Sequence, residues 1–432
     1  MEKPRIFESE LLGERYYRII HSCGLPIYVF PKKSFTTHAL FAVNYGSVDN
    51  AANADGEKPF PDGIAHFLEH KLFSNEDGSD SFERFSALGA DANAYTSHTR
   101  TVYLFSSTDR FDESLEELIR FVTHPYFTPE TVQKEQGIIA EEIRMCRDNP
   151  YDRCYYNMLE GLYRNHPVKE EICGTEASIG RITDKTLYDC YRAHYRFDNM
   201  ALVVCGDVTV EGVMRIADAN LPQAAVQEMP PVFAFEEPDR ADRALVEDVG
   251  QVAKPIFSIG VKDTEIPSDP VARAKRDAGM AILSEMIFSE SGELYNRLFD
   301  EGLISPEFSA DFAITKDFGF LQISGEADDP KRVFNEILAY LEQLRKTGLS
   351  SADFERCRRV EFAEYLKGFD SPEEIANTLV AFAFDGADVF SYAEMLKNME
   401  LSYVQELFGS FFEPTHFTLS VVKPVGNNQE GE

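Results

Sequence analysis

The fold is decided by residues 62–73, which read Asp62-Gly63-Ile64-Ala65-His66-Phe67-Leu68-Glu69-His70-Lys71-Leu72-Phe73. The stretch predicts a helix, because Asp62 is a candidate N-cap, Gly63 permits the turn into the helix, and apolar residues flank the polar positions. On a helix, His66 and His70 lie on one face, close enough together to bind one metal ion. Glu69 projects beside them, where its carboxylate could accept a proton from a metal-bound water. The sequence therefore predicts a metal-binding helix that also carries a general base.

The length and composition of the chain indicate a multidomain protein without a membrane segment. Its 432 residues are too many for one ordinary domain, and 44% of them are hydrophobic, which is enough for substantial cores. No run approaches the roughly 18 uninterrupted apolar residues of a membrane span, and the N-terminus lacks the apolar region of a secretory signal. The seven cysteines include no Cys-x-x-Cys pair, so we expect reduced thiols in a cytoplasmic protein.

The chain is strongly acidic, with 42 basic and 74 acidic residues and a net charge of −32. This charge excludes nucleic acid as a partner, because the phosphates would be repelled. Two interpretations of the charge remain open: a solvated acidic surface, or an acidic chamber that attracts basic peptides.

The order of predicted elements divides the chain into two halves. The first half begins with three β-strands within residues 16–48, and the metal-binding helix follows them. After it we predict, in order, a helix at 81–88, strands at 93–96 and 101–107, helices at 111–122 and 128–147, and a strand at 201–206. Prolines and acidic residues make 226–250 the predicted linker. It joins an N-terminal metal-binding domain (1–225) to a C-terminal domain (251–432).

The second half repeats this order, which indicates an internal duplication. Its predicted elements are a strand at 255–261, a helix at 274–288, paired strands at 307–313 and 318–323, helices at 333–344 and 350–366, and a strand at 416–422. Aligning residues 279–286 with 63–70 places Ile282 and Met286 on the two histidines and Glu285 on the glutamate. The second copy therefore lacks the metal ligands, and the first half is predicted to carry the chemistry.

A third metal ligand is needed, because a catalytic zinc usually has three protein ligands and an open position. The helix predicted at 128–147 offers Glu135, Glu141 and Glu142. Glu135 and Glu142 are two helical turns apart and share a face, whereas Glu141 points about 100° away. If that face meets the histidine helix, one carboxylate can bind zinc and the other can orient a histidine ligand. The alternative interpretation is an ordinary solvated helix face.

Three segments of the first half carry a family resemblance. They are the inverzincin signature His-x-x-Glu-His within residues 63–70, Asn-Ala-Tyr-Thr-Ser at 93–97, and the glutamate-containing stretch 135–142. With these segments in this order, the chain resembles the pitrilysin/insulinase family of zinc metallopeptidases, and more closely its bacterial YmfH-like subgroup. The resemblance implies an α+β fold of two homologous βα domains of the insulinase/mitochondrial-processing-peptidase type, each an antiparallel-rich sheet with helices packed on it.

The resemblance also implies a role for each residue around the histidine helix. It assigns His66, His70 and Glu142 as zinc ligands. It assigns Glu69 as the catalytic base and Glu135 as a second catalytic carboxylate that supports the site. The implied cofactor is Zn²⁺, which lowers the pKa of its bound water and polarises the scissile carbonyl.

The substrate-binding residues follow from the same resemblance. Asn93, Ala94 and Tyr95 would lie on a strand edge that pairs with an extended peptide, since an exposed edge offers main-chain hydrogen bonds whatever the substrate's side chains are. An ordinary strand is the alternative interpretation. Arg297 matches a family arginine that contacts substrate from a second-half-type domain, but the family's tyrosine seven residues later is Ile304 here.

Because Ile304 has no hydroxyl group, we expect a partner chain of similar fold to supply the missing tyrosine. The expected assembly is a heterodimer with a YmfF-like companion, or a homodimer. The predicted function is a zinc-dependent endopeptidase that hydrolyses peptides or unfolded segments. The alternatives are a partner-dependent processing or scaffold subunit, and a protein that captures peptides by strand addition without cleaving them.

Overall fold

In the computed structural model, which describes residues 3–50, 59–223 and 236–425, the first half of the chain forms a seven-stranded sheet. The central strands are buried on both faces, because their apolar runs, such as Ala201–Val204, lie between two helical layers. The elements of this half are β1 Arg5–Ser9, β2 Glu14–Ile20, β3 Pro26–Pro31, β4 Thr37–Val43, α1 Ile64–Leu72, α2 Ser81–Leu88, β5 Asp91–Thr96, β6 Thr101–Ser107, α3 Phe111–Thr123, α4 Pro129–Asp148, α5 Pro150–Leu162, α6 Glu176–Ile179, α7 Asp184–His194, β7 Met200–Gly206 and α8 Val210–Asn220.

The second half forms a five-stranded sheet with its own helices. Its elements are β8 Leu245–Gly250, β9 Ile256–Lys262, α9 Pro270–Phe288, α10 Glu293–Asp300, β10 Ser309–Ile314, β11 Gly319–Glu326, α11 Pro330–Thr347, α12 Ser351–Gly368, α13 Pro372–Asp385, α14 Val389–Lys397, α15 Leu401–Phe411 and β12 Phe417–Pro424. Helix α9 begins earlier than predicted. Asp269 caps it by accepting a hydrogen bond from the backbone of Ala272, and Pro270 occupies its first turn.

The two sheets have the same topology, which supports the predicted duplication. The first sheet has the order β1-β2-β3-β7-β4-β6-β5, and the second has the order β8-β12-β9-β11-β10. Without β1 and β2 the two orders coincide. In each sheet one pair is parallel, β3 with β7 and β8 with β12, and the remaining pairs are antiparallel. The predicted α+β fold with two homologous, antiparallel-rich halves is confirmed.

Helix α9 occupies the place of α1 in the second half, in the predicted register. Leu72 and Phe288, the last residues of the two helices, are as far apart in the chain as His66 and Ile282. Ile282 is fully buried and Met286 nearly so, both within the apolar core of the second half. The second copy therefore packs a core where the first copy presents histidines.

Each half also donates one helix to the sheet of the other half, and we call this arrangement the helix exchange. Helix α5 crosses to the second sheet, where Gly260 lies so close beneath it that a Cβ would approach Leu162 Cδ1 to 2.7 Å. Helix α13 crosses back, and Leu379 and Val380 are buried against Val203 of the first sheet. A fully buried side chain of this kind contributes about 1.5–3 kcal/mol. The two sheets are therefore distinct, but neither is covered by its own half alone.

The predicted linker at 226–250 is wrong at its C-terminal end. Residues Leu245–Gly250 form β8, which pairs in parallel with β12 and belongs to the second sheet. Residues 226–235 lie outside the described residues. Across 3–50, 59–223 and 236–425, no helix combines the length and the apolar character needed to cross a membrane.

Candidate metal centre

Helix α1 begins at a residue that has to be glycine. Gly63 is the N-cap, with φ of 88° in the left-handed region, so the predicted cap at Asp62 is wrong. A Cβ at Gly63 would lie 2.4 Å from the carbonyl oxygen of Cys173. The chain therefore turns into α1 in direct contact with the segment around Cys173, and this contact fixes where the two histidines lie.

Replacing Gly63 with alanine is expected to lower both the thermal unfolding midpoint and the metal affinity. The left-handed backbone costs a non-glycine residue about 1–2 kcal/mol, and the new methyl group would also push α1 away from Cys173. Gly89→Ala is the matched control, since Gly89 has φ of 74° but no atom within 4 Å of its Cβ position. Calorimetry with zinc titration should show the larger loss for Gly63→Ala; equal losses in the two variants would contradict the role of the contact.

Helix α4 brings two carboxylates to α1. Thr128 caps the helix and Pro129 occupies its first turn, as predicted. Glu135 and Glu142 lie on the face that meets the histidines, within 3.5 Å of their ring nitrogens. Glu141 points to solvent, with its side chain 72% exposed. The predicted shared face of Glu135 and Glu142 is thus the face that packs on α1.

His66, His70 and Glu142 converge with the geometry of a metal site. His66 Nε2 lies 3.4 Å from Glu142 Oε1, and His70 Nε2 lies 3.5 Å from Glu142 Oε2. Ligands about 2.0–2.2 Å from a tetrahedral zinc lie about 3.3–3.6 Å from one another, so both distances fit. The three donor atoms lie within 4.8 Å of one another, and the part of the chain that the structure describes holds no second group of this kind. Two imidazoles and one carboxylate are a donor set of catalytic zinc sites.

Glu135 contacts only one of the three predicted ligands, His70, and it does so on the ring nitrogen that faces away from Glu142. Its Oε1 lies 3.1 Å from His70 Nδ1, and its Oε2 lies 3.8 Å from the buried ammonium of Lys71. Burial opposes a charge on His70, but the hydrogen bond to Glu135 and the nearby Glu69 outweigh it and raise the pKa of His70. When Nδ1–H donates to Glu135, the neutral imidazole of His70 keeps its Nε2 lone pair for a metal ion on the side where Glu142 lies. Glu135 therefore orients a ligand, as a supporting carboxylate would.

Replacing Glu135 with glutamine is expected to lower the zinc affinity about 10–100-fold, the usual effect of losing a hydrogen-bond partner behind a histidine ligand. The amide removes the charge that holds His70 Nδ1–H but keeps nearly the same volume. Competition with a metal chelator measures the effect. Glu141→Gln, on the same helix but exposed, should leave the affinity unchanged, and an equal loss in both variants would refute a specific role for Glu135.

Glu69 lies beside the metal-ligand group and is held from the neighbouring strand. Its side chain is buried, and Thr96 Oγ1 donates a hydrogen bond of 2.6 Å to its Oε2. Thr96 is the last residue of β5 and was not among the predicted site residues. Strand alternation puts Thr96 on the same face as Ala94, but the predicted residues Asn93 and Tyr95 lie on the other face, so alternation alone could not single out Thr96.

The predicted substrate-binding residues of β5 lie at a free sheet edge. β5 pairs with β6 on one side, and in the described chain no strand pairs with its other side. Asn93 and Ala94 line a cavity beside Glu69. Tyr95 points to the opposite face of the sheet, where its hydroxyl donates to Asn377 of α13 at 2.9 Å. The Tyr95 side chain is therefore not part of the site, although its backbone belongs to the edge.

Two cavities flank the metal-ligand group along this edge. The first, of about 600 Å³, is lined by residues that include Glu69, His70, Asn93, Ala94 and Ile138. The second, of about 700 Å³, is lined by residues that include His66, Thr96, Glu142, Tyr156 and Glu171. The group thus lies between two open spaces that follow one strand edge, an arrangement that an extended chain can occupy.

Arg297 is not brought to this site. It lies on α10 in the second half, 3.6 Å from the carboxylate of Glu336 and above the ring of Tyr340. Neither cavity beside the metal-ligand group includes Arg297. Ile304, at the position of the family tyrosine, is buried in the core of the second half. A contact between Arg297 and a substrate held at α1 stays a prediction.

Comparison with known proteins matches both halves of the chain to one family. Residues 37–176 match the family described as Insulinase (Peptidase family M16), and residues 181–361 match the family described as Peptidase M16 inactive domain. A relative from Bacillus subtilis, described as the uncharacterized zinc protease YmfH, is 38% identical over 431 residues, which cover 98% of this chain and 100% of the relative. The zinc protease PqqE of Helicobacter pylori is 24% identical and covers 84% of this chain and 83% of the relative.

Solved structures agree with this assignment. A putative M16-like peptidase from Alicyclobacillus acidocaldarius superposes with a TM-score of 0.89 at 31% identity, covering 95% of this chain and 98% of that one. Pitrilysin shares the fold, with a TM-score of 0.76 at 17% identity, and the match covers 98% of this chain but 46% of the pitrilysin chain. The matched segments, the full-length relative and the duplicated fold lead to one conclusion: the chain belongs to the insulinase family of peptidases, family M16.

Proposed function

We propose that this protein is a zinc-dependent endopeptidase that cleaves extended peptides or unfolded segments laid along β5. One observation carries the proposal. The Nε2 atoms of His66 and His70 face the two oxygens of Glu142 at 3.4 and 3.5 Å, and Glu69 lies beside them. A site that only bound peptides would have no use for a buried carboxylate next to a metal-ligand group. The zinc protease names of the relatives support the same metal.

The substrate would bind mainly through its backbone. The free edge of β5 offers the amide and carbonyl groups of a strand, so an extended peptide can join the sheet there by main-chain hydrogen bonds. Such binding selects for an unfolded segment more than for a particular side chain. The cavities of about 600 and 700 Å³ on either side leave room for the substrate's side chains.

The chemistry would depend on a few groups of the chain. His66, His70 and Glu142 would hold zinc, and Glu135 would keep His70 oriented by accepting its Nδ1–H. Bound there, zinc would lower the pKa of its water and polarise the scissile carbonyl. Glu69 would accept a proton from the attacking water and deliver it to the leaving amine.

We further propose that the competent form contains a homologous partner chain. The oxyanion that develops on the scissile carbonyl needs a donor across the substrate. In this chain Arg297 is engaged with Glu336, and Ile304 has no hydroxyl and is buried. A YmfF-like companion could cover the exposed edge of β5 and contribute that donor. A second copy of this chain could cover the edge as well, but it would bring the same Arg297 and Ile304.

A cytoplasmic location fits the state of the cysteines. All seven are free thiols, and six of them are buried. Reduced thiols persist in the cytoplasm, whereas secreted proteins usually pair theirs. We therefore propose that the protein acts there.

Zinc quantification and peptide cleavage, with and without the companion, test the proposal. The protein is stripped of metal, reloaded with one equivalent of zinc and incubated with quenched-fluorescence peptides, and products are identified by mass spectrometry. We expect zinc-dependent cleavage that increases strongly when the companion is added. Failure to bind zinc, or the same cleavage without zinc, would refute a zinc peptidase. Full turnover by the chain as a monomer would refute the need for a partner.

The alternative functions give different results in the same assay. A processing or scaffold subunit would bind zinc but show cleavage that survives loss of its own Glu69, because the partner would do the chemistry. A protein that captures peptides by strand addition would bind the peptide and release it intact. The buried Glu69 beside the histidines favours the peptidase over both alternatives.

A further inference from the structure

The carboxylate of Glu69 is held by a short hydrogen bond from the strand that borders the site. Glu69 is 9% exposed, and its Oε2 accepts from Thr96 Oγ1 at 2.6 Å. A hydroxyl-to-carboxylate bond of about 2.5–2.7 Å is charge-assisted and roughly twice as strong as a neutral one. The contact therefore fixes one oxygen of the predicted base.

The donor is itself placed on a rigid element. Thr96 ends β5 and pairs with Thr101 of β6, so the sheet fixes its backbone. Its branched Cβ restricts the rotamers that its hydroxyl can adopt. By contrast, the carboxyl torsion of a glutamate is broad and needs a partner to select one orientation. The strand thus restricts the orientation of the Glu69 carboxylate, which the side chain's own torsions do not.

We propose that Thr96 is a positioning residue, which orients the Glu69 carboxylate for proton transfer. The inference rests on the proposed peptidase function and adds to it a residue outside the His-x-x-Glu-His segment. Thr96 is not one of the three proposed ligands, although it lines the same cavity as His66 and Glu142. It acts through Glu69, and it links the base to the strand edge on which the peptide would lie.

The first test is kinetic. Thr96→Val keeps the branched shape and removes the hydroxyl, whereas Thr96→Ser keeps the hydroxyl and removes a methyl group. We expect Thr96→Val to lower kcat about 10–100-fold, the effect of misplacing a catalytic group by about 1 Å, with KM within about twofold of wild type. Thr96→Ser should restore most of kcat. A Thr96→Val variant with wild-type kcat would overturn the proposal, and so would a serine variant that fails like valine.

The second test does not depend on activity. Thermal unfolding of the metal-free protein is compared for wild type, Thr96→Val, Glu69→Leu and the double variant. Thr96→Val alone leaves a buried carboxylate without its donor and should lower the midpoint by about 2–4 °C. In the Glu69→Leu background the same change should have less than half that effect. If Thr96→Val lowers the unfolding midpoint equally in both backgrounds, the two side chains do not stabilise each other and the proposal is refuted.

The two tests separate failure of the inference from failure of the proposed function. A wild-type chain that binds zinc but cleaves no peptide, alone or with a companion, refutes the peptidase. In that case the unfolding cycle still decides whether Thr96 holds Glu69. A cleaving wild type with an unaffected Thr96→Val variant refutes the positioning role alone.

Discussion

Replacing Glu69 with glutamine is expected to reduce peptide cleavage about 10²–10⁴-fold, the usual contribution of a positioned general base. Glutamine keeps the size of the side chain and can still accept the hydrogen bond from Thr96, but it cannot take a proton from water. Zinc content and peptide affinity should therefore remain those of wild type. Steady-state cleavage of a quenched peptide, metal analysis and fluorescence binding measure the three quantities on one preparation.

The duplicated half provides a matched control for this experiment. Glu285 occupies the position of Glu69 on α9, between Ile282 and Met286, so Glu285→Gln makes the same chemical change without nearby metal ligands. It should leave cleavage unchanged. Unchanged cleavage in the Glu69→Gln variant would refute the assigned base, and equal losses in both variants would show that the effect is structural.

Replacing Glu142 with glutamine is expected to weaken zinc binding about a hundredfold, so that the variant loses its metal to a chelator and, with the metal, its cleavage. The carboxylate faces both histidines and is the anionic member of the ligand group. The hydrogen bond from His66 in particular holds the pKa of Glu142 below its usual value, so this carboxylate stays charged and ready to bind a cation. Structural zinc sites with four ligands bind the ion with a free energy of about 10–16 kcal/mol. One ligand is then worth about 3 kcal/mol, or roughly a hundredfold in affinity.

Metal analysis after dialysis against a weak chelator measures this loss directly. Glu141→Gln, one residue away but pointing to solvent, should keep its zinc. A Glu142→Gln variant that retains one equivalent of zinc after dialysis would show that another group completes the site.

The chemistry of the site could be predicted from sequence because its determinants are local. His66, Glu69 and His70 depend on helical periodicity within one turn, and the spacing of Glu135 and Glu142 depends on two turns. The family resemblance then indicated that Glu142, rather than Glu135, is the metal ligand. The contact between Thr96 and Glu69 is different, because it depends on which face of β5 meets α1. Alternation separates the two faces of a strand but does not say which one packs on a given helix.

The features that sequence alone did not place correctly have the same cause, which is that their positions depend on long-range packing. The backbone of Tyr95 lies at the expected edge of β5, but its side chain is on the face that α13 covers. The strand Leu245–Gly250 lies in an acidic stretch, and only its pairing with β12 makes it part of a sheet. Helices α5 and α13 are amphipathic by sequence, but periodicity cannot tell which sheet an apolar face will cover. Long-range packing, rather than local propensity, decided each of these cases.

The helix exchange has a consequence for how the chain is made. Protein synthesis proceeds at roughly 5–20 residues per second, so the stretch from Gly206, the end of β7, to Pro372, the start of α13, takes about 8–33 s to emerge. For that time the strands of the first sheet are complete, but the face that carries Leu40 and Val203 lacks its cover of Leu379 and Val380. A nascent chain with this apolar surface is a natural client for chaperones, and a product truncated before residue 372 would aggregate. The metal-binding half is made first, yet it can be completed only by the last part of the chain.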